Sequence, residues 1–424
     1  MDRPVSGRGL SRRTVLKGAA GATAVAAFSP LMGRGRARAQ ASGTVRLTGW
    51  SASPQERPLL EQALEGFRAK FPNIDLQYEP IPGNYLEVLQ TQLAAGEVAD
   101  VFYVDAQYAQ DLASREVLLP LDDYMGRAGV TPDQFYPSLI SAFQWQGQTF
   151  GLPKDWSSIA MVYSQDALEQ AGVTAPPTNW EELRAAAQTL ADNGVPTPII
   201  LAPAFDKFFP FFVQAGATVT NPEVTQFTIN SEQTRQALEY YQGLYNDQLG
   251  ATFQDFGAQD PQTAFAQGQG ALFLDGNWVY APLQETAPDL RFAAAEPPAG
   301  PAGKGTAGFT VSYSISRSSE NPDAAWELVN YLCGDEGMEV WTGGGFAMPS
   351  RPSLAEQWTQ KFPERASFLA ALDYARVAQF GPGGQQFRTD ADTVISELLA
   401  GSLTPDEAVT RLEEAATGAI QLAS

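Results

Sequence analysis

Four short stretches place a hydrogen-bonding side chain on or beside an aromatic ring: Trp50-Ser51, Asp105-Ala106-Gln107 before Tyr108, Asp206-Lys207-Phe208, and Asn277-Trp278. A fifth, Lys154-Asp155-Trp156, stands just before the apolar run 159–163. Carboxylates and amides can hold vicinal hydroxyls through paired hydrogen bonds. An aromatic face covers a C–H patch and displaces water from it. A pyranose offers both features, hydroxyls around its rim and C–H groups on its faces. A buried Asp that accepts two hydroxyl bonds also rejects a ligand lacking one of them, because its lone pairs would stay unpaired.

Other chemistries are excluded or weakly supported. The chain has no His, which removes Ser-His-Asp and Cys-His catalysis and the commonest transition-metal ligand. Cys333 is the only Cys, so no intrachain disulfide is possible, and its surroundings read as a helix in which it is a small buried apolar residue. No cofactor and no metal are expected. Carboxylate pairs could serve glycoside hydrolysis, but in a chain this acidic some pair always lies nearby, and the β/α count does not make an eight-unit barrel. Each candidate also has a plain structural use. Asp105 and Asp275 can cap helices, Trp50, Ser51 and Trp278 can pack or cap, and Lys154 can pair with Asp155 on a surface at little energetic gain.

The elements that must hold these residues follow an α/β rhythm. Residues 43–50, 74–81 and 99–105 read as strands, separated by amphipathic helices with Leu60, Leu64 and Phe67 on one face and Leu86, Leu89 and Leu93 on another. That alternation indicates a doubly wound parallel sheet. A second α/β unit begins near residue 157, with strands expected at 197–203 and 270–278. Gly151-Leu152-Pro153 is expected to end the first sheet and 159–163 to begin the second, with Lys154 to Ser157 as the hinge between them. The Pro/Gly-dense stretch 293–308 leads into a strand at 308–316, and the run from Asn321 to Trp341 reads as one helix. In open α/β sheets ligands bind beyond the carboxyl ends of strands, which is where the aromatic and polar stretches fall.

The N-terminus reads as an address rather than as fold. Arg12-Arg13 precede an Ala/Gly-rich stretch too short to span a membrane stably, and Ala37-x-Ala39 or Ala39-x-Ala41 offers a cleavage site. Residues 1–41 are therefore expected to be a Tat-type signal peptide. No Cys lies near the cleavage site, so lipid attachment is not expected, and the product suits the periplasm. Without that segment's eight basic and one acidic residues, the chain carries 19 basic against 47 acidic, a net charge of −28. Nucleic-acid and anionic-membrane partners become poor hypotheses.

Eight stretches in this order resemble the extracellular solute-binding proteins of sugar ABC transporters, the group that includes the maltose-binding protein. They run from GWSASPQERPLLEQALEGFRAKFPNIDLQYEPIPGNYLEVLQTQLAAGEVADVFYVD through LLPLDDY, GQTFGLPKDWSSIAMVYSQDALEQAGV, PPTNWEELRAAAQTL, FAQGQGALFLDGNW, NPDAAWELVNYL and DEGMEVW to FAMPSR. Ser164 departs from the Asn or Asp usual after the strand's tyrosine. The resemblance implies a type II periplasmic-binding-protein fold: two lobes, each a doubly wound sheet flanked by helices, joined by several crossings. Lobe one is expected to be 42–153 plus 309–342, and lobe two 154–308 plus 343–424. The resemblance further implies a monomer that closes on a carbohydrate, a di- or oligosaccharide, and delivers it to ABC transporter permease subunits in the membrane. It brings Tyr85, after IPGN, to the sugar, and Phe387 and Arg388 toward the cleft. Gly344, Gly345, Phe346 and Arg351 fall at the third crossing. The expected ligand-binding set is Trp50, Ser51, Tyr85, Asp105, Gln107, Asp155, Trp156, Asp206, Asn277, Trp278, Gly345 and Arg351. A polyamine would also suit the acidity of such a scaffold, and a secreted glycoside hydrolase is the remaining alternative.

Overall fold

The computed structural model of the protein describes residues 41–50, 53–222 and 224–422. The twin arginines and the rest of 1–40, together with Ser51, lie outside the described residues. Twelve strands organise the described chain: β1 (Gly43–Thr48), β2 (Ile74–Tyr78), β3 (Val101–Asp105), the hairpin β4 (Gln144–Trp145) and β5 (Gln148–Thr149), β6 (Gly151–Ser164), β7 (Ile199–Leu201), β8 (Gly250–Thr252), β9 (Leu272–Gly276), β10 (Phe292–Ala295), β11 (Thr306–Ile315) and β12 (Ala375–Val377).

Two parallel sets form as the α/β rhythm requires. In the first, β1 lies between β2 and β3; in the second, β7 lies between β8 and β9. Right-handed crossover helices cover such sheets, and the helix Arg57–Lys70 shows how. It buries Leu60, Ala63, Leu64 and Phe67, the i, i+3, i+4, i+7 spacing of one helical face.

The two sets are welded by β6 and β11. The path runs β2-β1-β3-β11-β6-β9-β7-β8. Antiparallel to its neighbours, β11 pairs with β3 through 311–315 and with β6 through 308–314. The first half of β6 thus belongs to β11, and its second half, 159–163, to β9. The stretch 154–157, expected as a hinge, lies inside one unbroken 14-residue strand. Pro153 is tolerated there because the register shifts beside it. Val311 faces Asp155 and Ser312 faces Pro153, which leaves Lys154 as the extra residue of a β-bulge. A correction concerns the run 321–341, which is two helices, Pro322–Leu332 and Asp335–Thr342. They break at Cys333-Gly334, where a Cβ on Gly334 would come within 2.9 Å of the Asn330 carbonyl oxygen.

Three hydrophobic cores flank this sheet. Val45, Phe67, Phe102, Leu152, Tyr313 and Trp326 belong to the first, and Ile159, Met161, Phe205, Phe208 and Tyr241 to the second. The third gathers Trp156, Ala160, Val162, Phe273, Trp358 and Phe368. The period of a strand is two, and β6 obeys it. Ile159 and Met161 enter the second core, whereas Trp156, Ala160 and Val162 enter the third. Counting back with the same parity sends Asp155 and Ser157 to the face opposite Trp156. Past the bulge the alternation is regular, so Asp155 and Trp156 point to opposite faces: Asp155 lines the cavity described below and Trp156 packs in the third core.

Trp156 is 1% exposed, and its backbone exchanges hydrogen bonds with Met348, 3.0 Å and 2.9 Å long. Its indole nitrogen has no partner among the described residues. Trp156→Ala is expected to destabilise the unliganded protein by about 3–5 kcal/mol through the cavity it leaves, and Trp156→Phe by clearly less, since no hydrogen bond is lost. Urea unfolding monitored by circular dichroism checks both; equal stability of the Ala variant and the wild type would contradict the assignment.

Candidate functional site

The carboxyl ends of β1, β3, β7 and β9 converge on a cavity of about 320 Å³. Its lining is assembled from far-apart parts of the chain. Trp50 follows β1, and Glu56 precedes the helix that comes next. Asp105 and Gln107 stand where β3 turns into the helix Ala106–Ser114. Lys154, Asp155 and Ser157 come from β6, and Phe309 and Val311 from β11. Asp206 lies at the start of the helix Phe205–Gln214, and Trp278 just beyond β9. Trp341, Phe346, Ala347 and Arg388 complete the wall.

Each ring is held by a neighbour with a definite geometry. Trp50 meets Tyr85 and Tyr103 edge-on, with centroids 5.6 Å and 5.0 Å away, and the Tyr85 hydroxyl donates to the Tyr103 carbonyl at 2.8 Å. Trp278 meets Phe309 edge-on at 5.5 Å. A Cβ on Gly276 would lie 2.2 Å from the Trp278 ring, so only glycine lets that ring fold back over the strand end. Such edge-to-face pairs orient rings as well as burying them.

Each cation is likewise committed. Lys154, 3% exposed, donates to Asp155 and sits 3.7 Å from the centroid of the Trp341 ring. Trp341 returns the contact, its indole N–H donating to Asp155 Oδ2 at 2.6 Å. Lys207 pairs with Asp275 and lies 5.1 Å over Trp278. Arg388 donates to the Gln107 side-chain oxygen and stands 3.8 Å from Asp206. Buried charges persist when paired and hydrogen-bonded in this way, and the carboxylates are thereby fixed in place.

Asp105 is both cap and cavity wall. Its Oδ1 accepts the Gln107 backbone N–H at 2.9 Å, the ordinary helix N-cap bond, while it also lines the cavity. Burial pushes its carboxyl up to about 6, and the charge of Asp155 adds to the rise; the Gln107 N–H and Arg388 oppose it.

Six of the twelve expected residues meet at this cavity: Trp50, Asp105, Gln107, Asp155, Asp206 and Trp278. Five do not line it, each for a visible reason. Tyr85 is the buried support of Trp50. Trp156 belongs to the third core. Asn277, fully buried, donates to the Phe346 carbonyl at 2.6 Å and so holds the segment that carries Phe346. Gly345 has φ +77°, and a Cβ there would come 2.3 Å from Arg365 Nη1; its role is backbone conformation. Arg351 donates through Nε to the Cys333 carbonyl at 2.6 Å and covers Phe135 at 4.6 Å, which ties the break between two helices to the crossing. Phe387 is fully buried among Phe205 and Phe380.

Sequence reasoning missed Glu56, Ser157, Phe309, Val311, Trp341 and Ala347 as cavity-lining residues, and it left Lys154, Phe346 and Arg388 open. Strand parity from Gly151 onward would have found Ser157. Trp341 carried no such signal, because it closes a helix far away in the chain.

Residues 51–339 match the model of a family described as bacterial extracellular solute-binding protein. The chain belongs to this family. A binding protein of Brucella abortus (strain 2308) is 28% identical over 376 residues, 86% of this chain and 90% of that one. The arabinooligosaccharide-binding protein of Bacillus subtilis (strain 168) is 21% identical over 336 residues, 76% of each chain. Among solved structures, an ABC substrate-binding protein from Listeria monocytogenes in complex with cycloalternan superposes with TM-score 0.80 at 21% identity, covering 89% of this chain and 98% of that one. The fold is thus the expected two-lobed type II architecture of solute-binding proteins, and the convergence of strand ends on one cavity follows from it.

The raised Asp105 carboxyl gives this solute-binding protein a pH signature. A ligand hydroxyl that donates to Asp105 favours the ionised form, so ligand affinity is expected to fall as pH drops through about 6, by up to about tenfold between neutrality and one unit below that value. Without ligand the sign is opposite. The folded carboxyl titrates above its unfolded value, so this group's contribution to stability rises as pH falls from about 6 toward about 4. Asp105→Asn keeps the cap and should flatten both slopes, as read by calorimetric titration and thermal melts across pH; unchanged slopes would rule Asp105 out as their source.

Proposed function

We propose that this protein captures a carbohydrate, a di- or oligosaccharide, between two closing lobes and hands it to a membrane permease, without chemical turnover. The observation that carries this reading is the cavity itself. Trp50, Trp278 and Trp341 supply ring faces, and Asp105, Asp155 and Asp206 supply acceptors whose positions are set by fixed partners. Its volume, about 320 Å³, falls at the small end of ordinary ligand sites. The oligosaccharide named for the Bacillus subtilis relative and the cycloalternan bound by the Listeria structure support a sugar on this scaffold.

In this reading lobe one comprises 42–153 plus 309–342 and lobe two 154–308 plus 343–424. The chain passes between them along β6, along β11 and through 343–351. Closure adds contacts to the ligand that exist only in the closed form, so the ligand shifts the population toward it. The protein acts as a monomer in the periplasm, exported by the Tat route through Arg12 and Arg13. No helix among the described residues is long and apolar enough to cross a membrane.

Titration calorimetry with maltose, trehalose, sucrose, cellobiose, xylobiose and spermidine tests the ligand. At least one sugar should bind and raise the melting temperature, adding roughly 2.7 kcal/mol at a concentration 100 times its dissociation constant. Trp278→Ala should weaken that sugar by about 2 kcal/mol. Binding of spermidine alone would overturn the carbohydrate reading, and hydrolysis of a chromogenic glycoside abolished by Asp155→Asn would overturn the absence of turnover. For export, replacing Arg12 and Arg13 by Lys should leave the chain in the cytoplasm on cell fractionation; an unchanged periplasmic yield would point to another route.

A further inference from the structure

The charges of the cleft do not balance. Glu56, Asp105, Asp155 and Asp206 line the cavity, against Lys154 and Arg388. Both cations are already engaged. Lys154 is bound to Asp155 and sandwiched over the Trp341 and Tyr103 rings, 3.7 Å and 5.2 Å from their centroids. Arg388 is bound to Gln107 and near Asp206. Lys207, next to Asp206 in the chain, is paired with Asp275. On the acidic side, the Glu56 carboxylate accepts the Ser53 backbone N–H at 3.1 Å, and the Asp105 carboxylate accepts that of Gln107 at 2.9 Å. Neither has an ion-pair partner within 4 Å among the described residues.

We infer that the cleft selects saccharides by charge: it takes a sugar bearing a free amino group ahead of the neutral sugar and excludes the corresponding uronate. This rests on the carbohydrate reading and specifies the class of sugar. An ammonium in place of a ring hydroxyl keeps its hydrogen-bond donors and converts a bond to Glu56 or Asp105 into a charge-assisted one, which is shorter and stronger. A uronate brings a further carboxylate into a cavity with no uncommitted cation among the described residues, where like charges at close range repel. The Asp105 carboxyl is buried beside Asp155, whose charge adds to the rise that burial causes, while Arg388 opposes it. The excess of acidic residues over the whole chain favours the approach of cations over anions in the same sense.

Calorimetry of the protein without its first 41 residues tests this with three matched series: glucose, glucosamine and glucuronate, their β-1,4-linked disaccharide counterparts, and their α-1,4-linked ones. In any series that binds, the amino sugar is expected about tenfold tighter than the neutral one, with no measurable uronate binding. The amino-to-neutral ratio should shrink toward one in Glu56→Gln and in Asp105→Asn, and in the wild type on adding salt. That ratio reports charge selection separately from any general loss of affinity in the variants. Equal binding of amino and neutral sugars, or measurable binding of a uronate, would overturn the charge selection and leave the carbohydrate reading standing. Failure of every sugar in these series and in the neutral panel above would overturn both.

Discussion

Everything in the cleft depends on one antiparallel pair, β6 against β11. These two strands lie at the centre of the sheet path, and each changes partners along its length. β11 takes β3 on one side and β6 on the other, and β6 passes from β11 to β9. A strand that serves two sheets cannot twist or slide without moving both. The pairing also contains the site: Lys154, Asp155, Ser157, Phe309 and Val311 are all residues of this pair. Cavity-lining groups placed on paired strands are held more firmly than they would be on a loop. The bulge at Lys154 then re-aims one side chain, so that Lys154 and its neighbour Asp155 reach the same partner, Trp341.

The neighbouring contacts reinforce the same junction. Ser350 donates to the Pro153 carbonyl at 2.6 Å, Thr310 to the Asp155 carbonyl at 2.7 Å, and Ser158 to the Phe368 carbonyl at 2.8 Å. Polar side chains buried in a central sheet would be costly if unpaired. Here each is spent on fixing a third segment against the crossing. The rings follow the same logic, since Trp278 sits over a glycine and Trp341 over an ammonium. The cavity is thus preorganised by ion pairs and edge contacts on its own walls, which lowers the ordering that a ligand must otherwise cause.

Much was legible in the chain because the relevant forces are local. Hydrophobic period distinguished helices from strands, so β1 to β3 and the helices between them fell where Leu60, Leu64, Phe67 and Leu89 placed them. The strand-end rule then picked out Trp50, Asp105, Gln107, Asp206 and Trp278, since a residue that ends an apolar strand in an α/β sheet has few places to point. The chain was harder to read where two structural demands met in a few residues. The stretch 154–157 drew attention because its polar residues interrupt an apolar run. In the fold they interrupt it because one face of the strand turns from core to cavity.

By itself the sequence determined the α/β class, the family, the absence of His chemistry, the acidity and the strand ends at which a ligand site would form. These depend on composition, on periods of two and 3.6 residues, and on order along the chain. Tertiary structure alone decided which member of an adjacent pair faces the cleft, as with Asp155 against Trp156. It also decided which distant residues complete the wall, as with Trp341 and Phe346, and which polar residues are props, as with Asn277, Arg351 and Tyr85. The reason is physical. A side chain's direction on a strand follows from where the strand begins and which partners it takes, and those partners lie more than a hundred residues away in the chain.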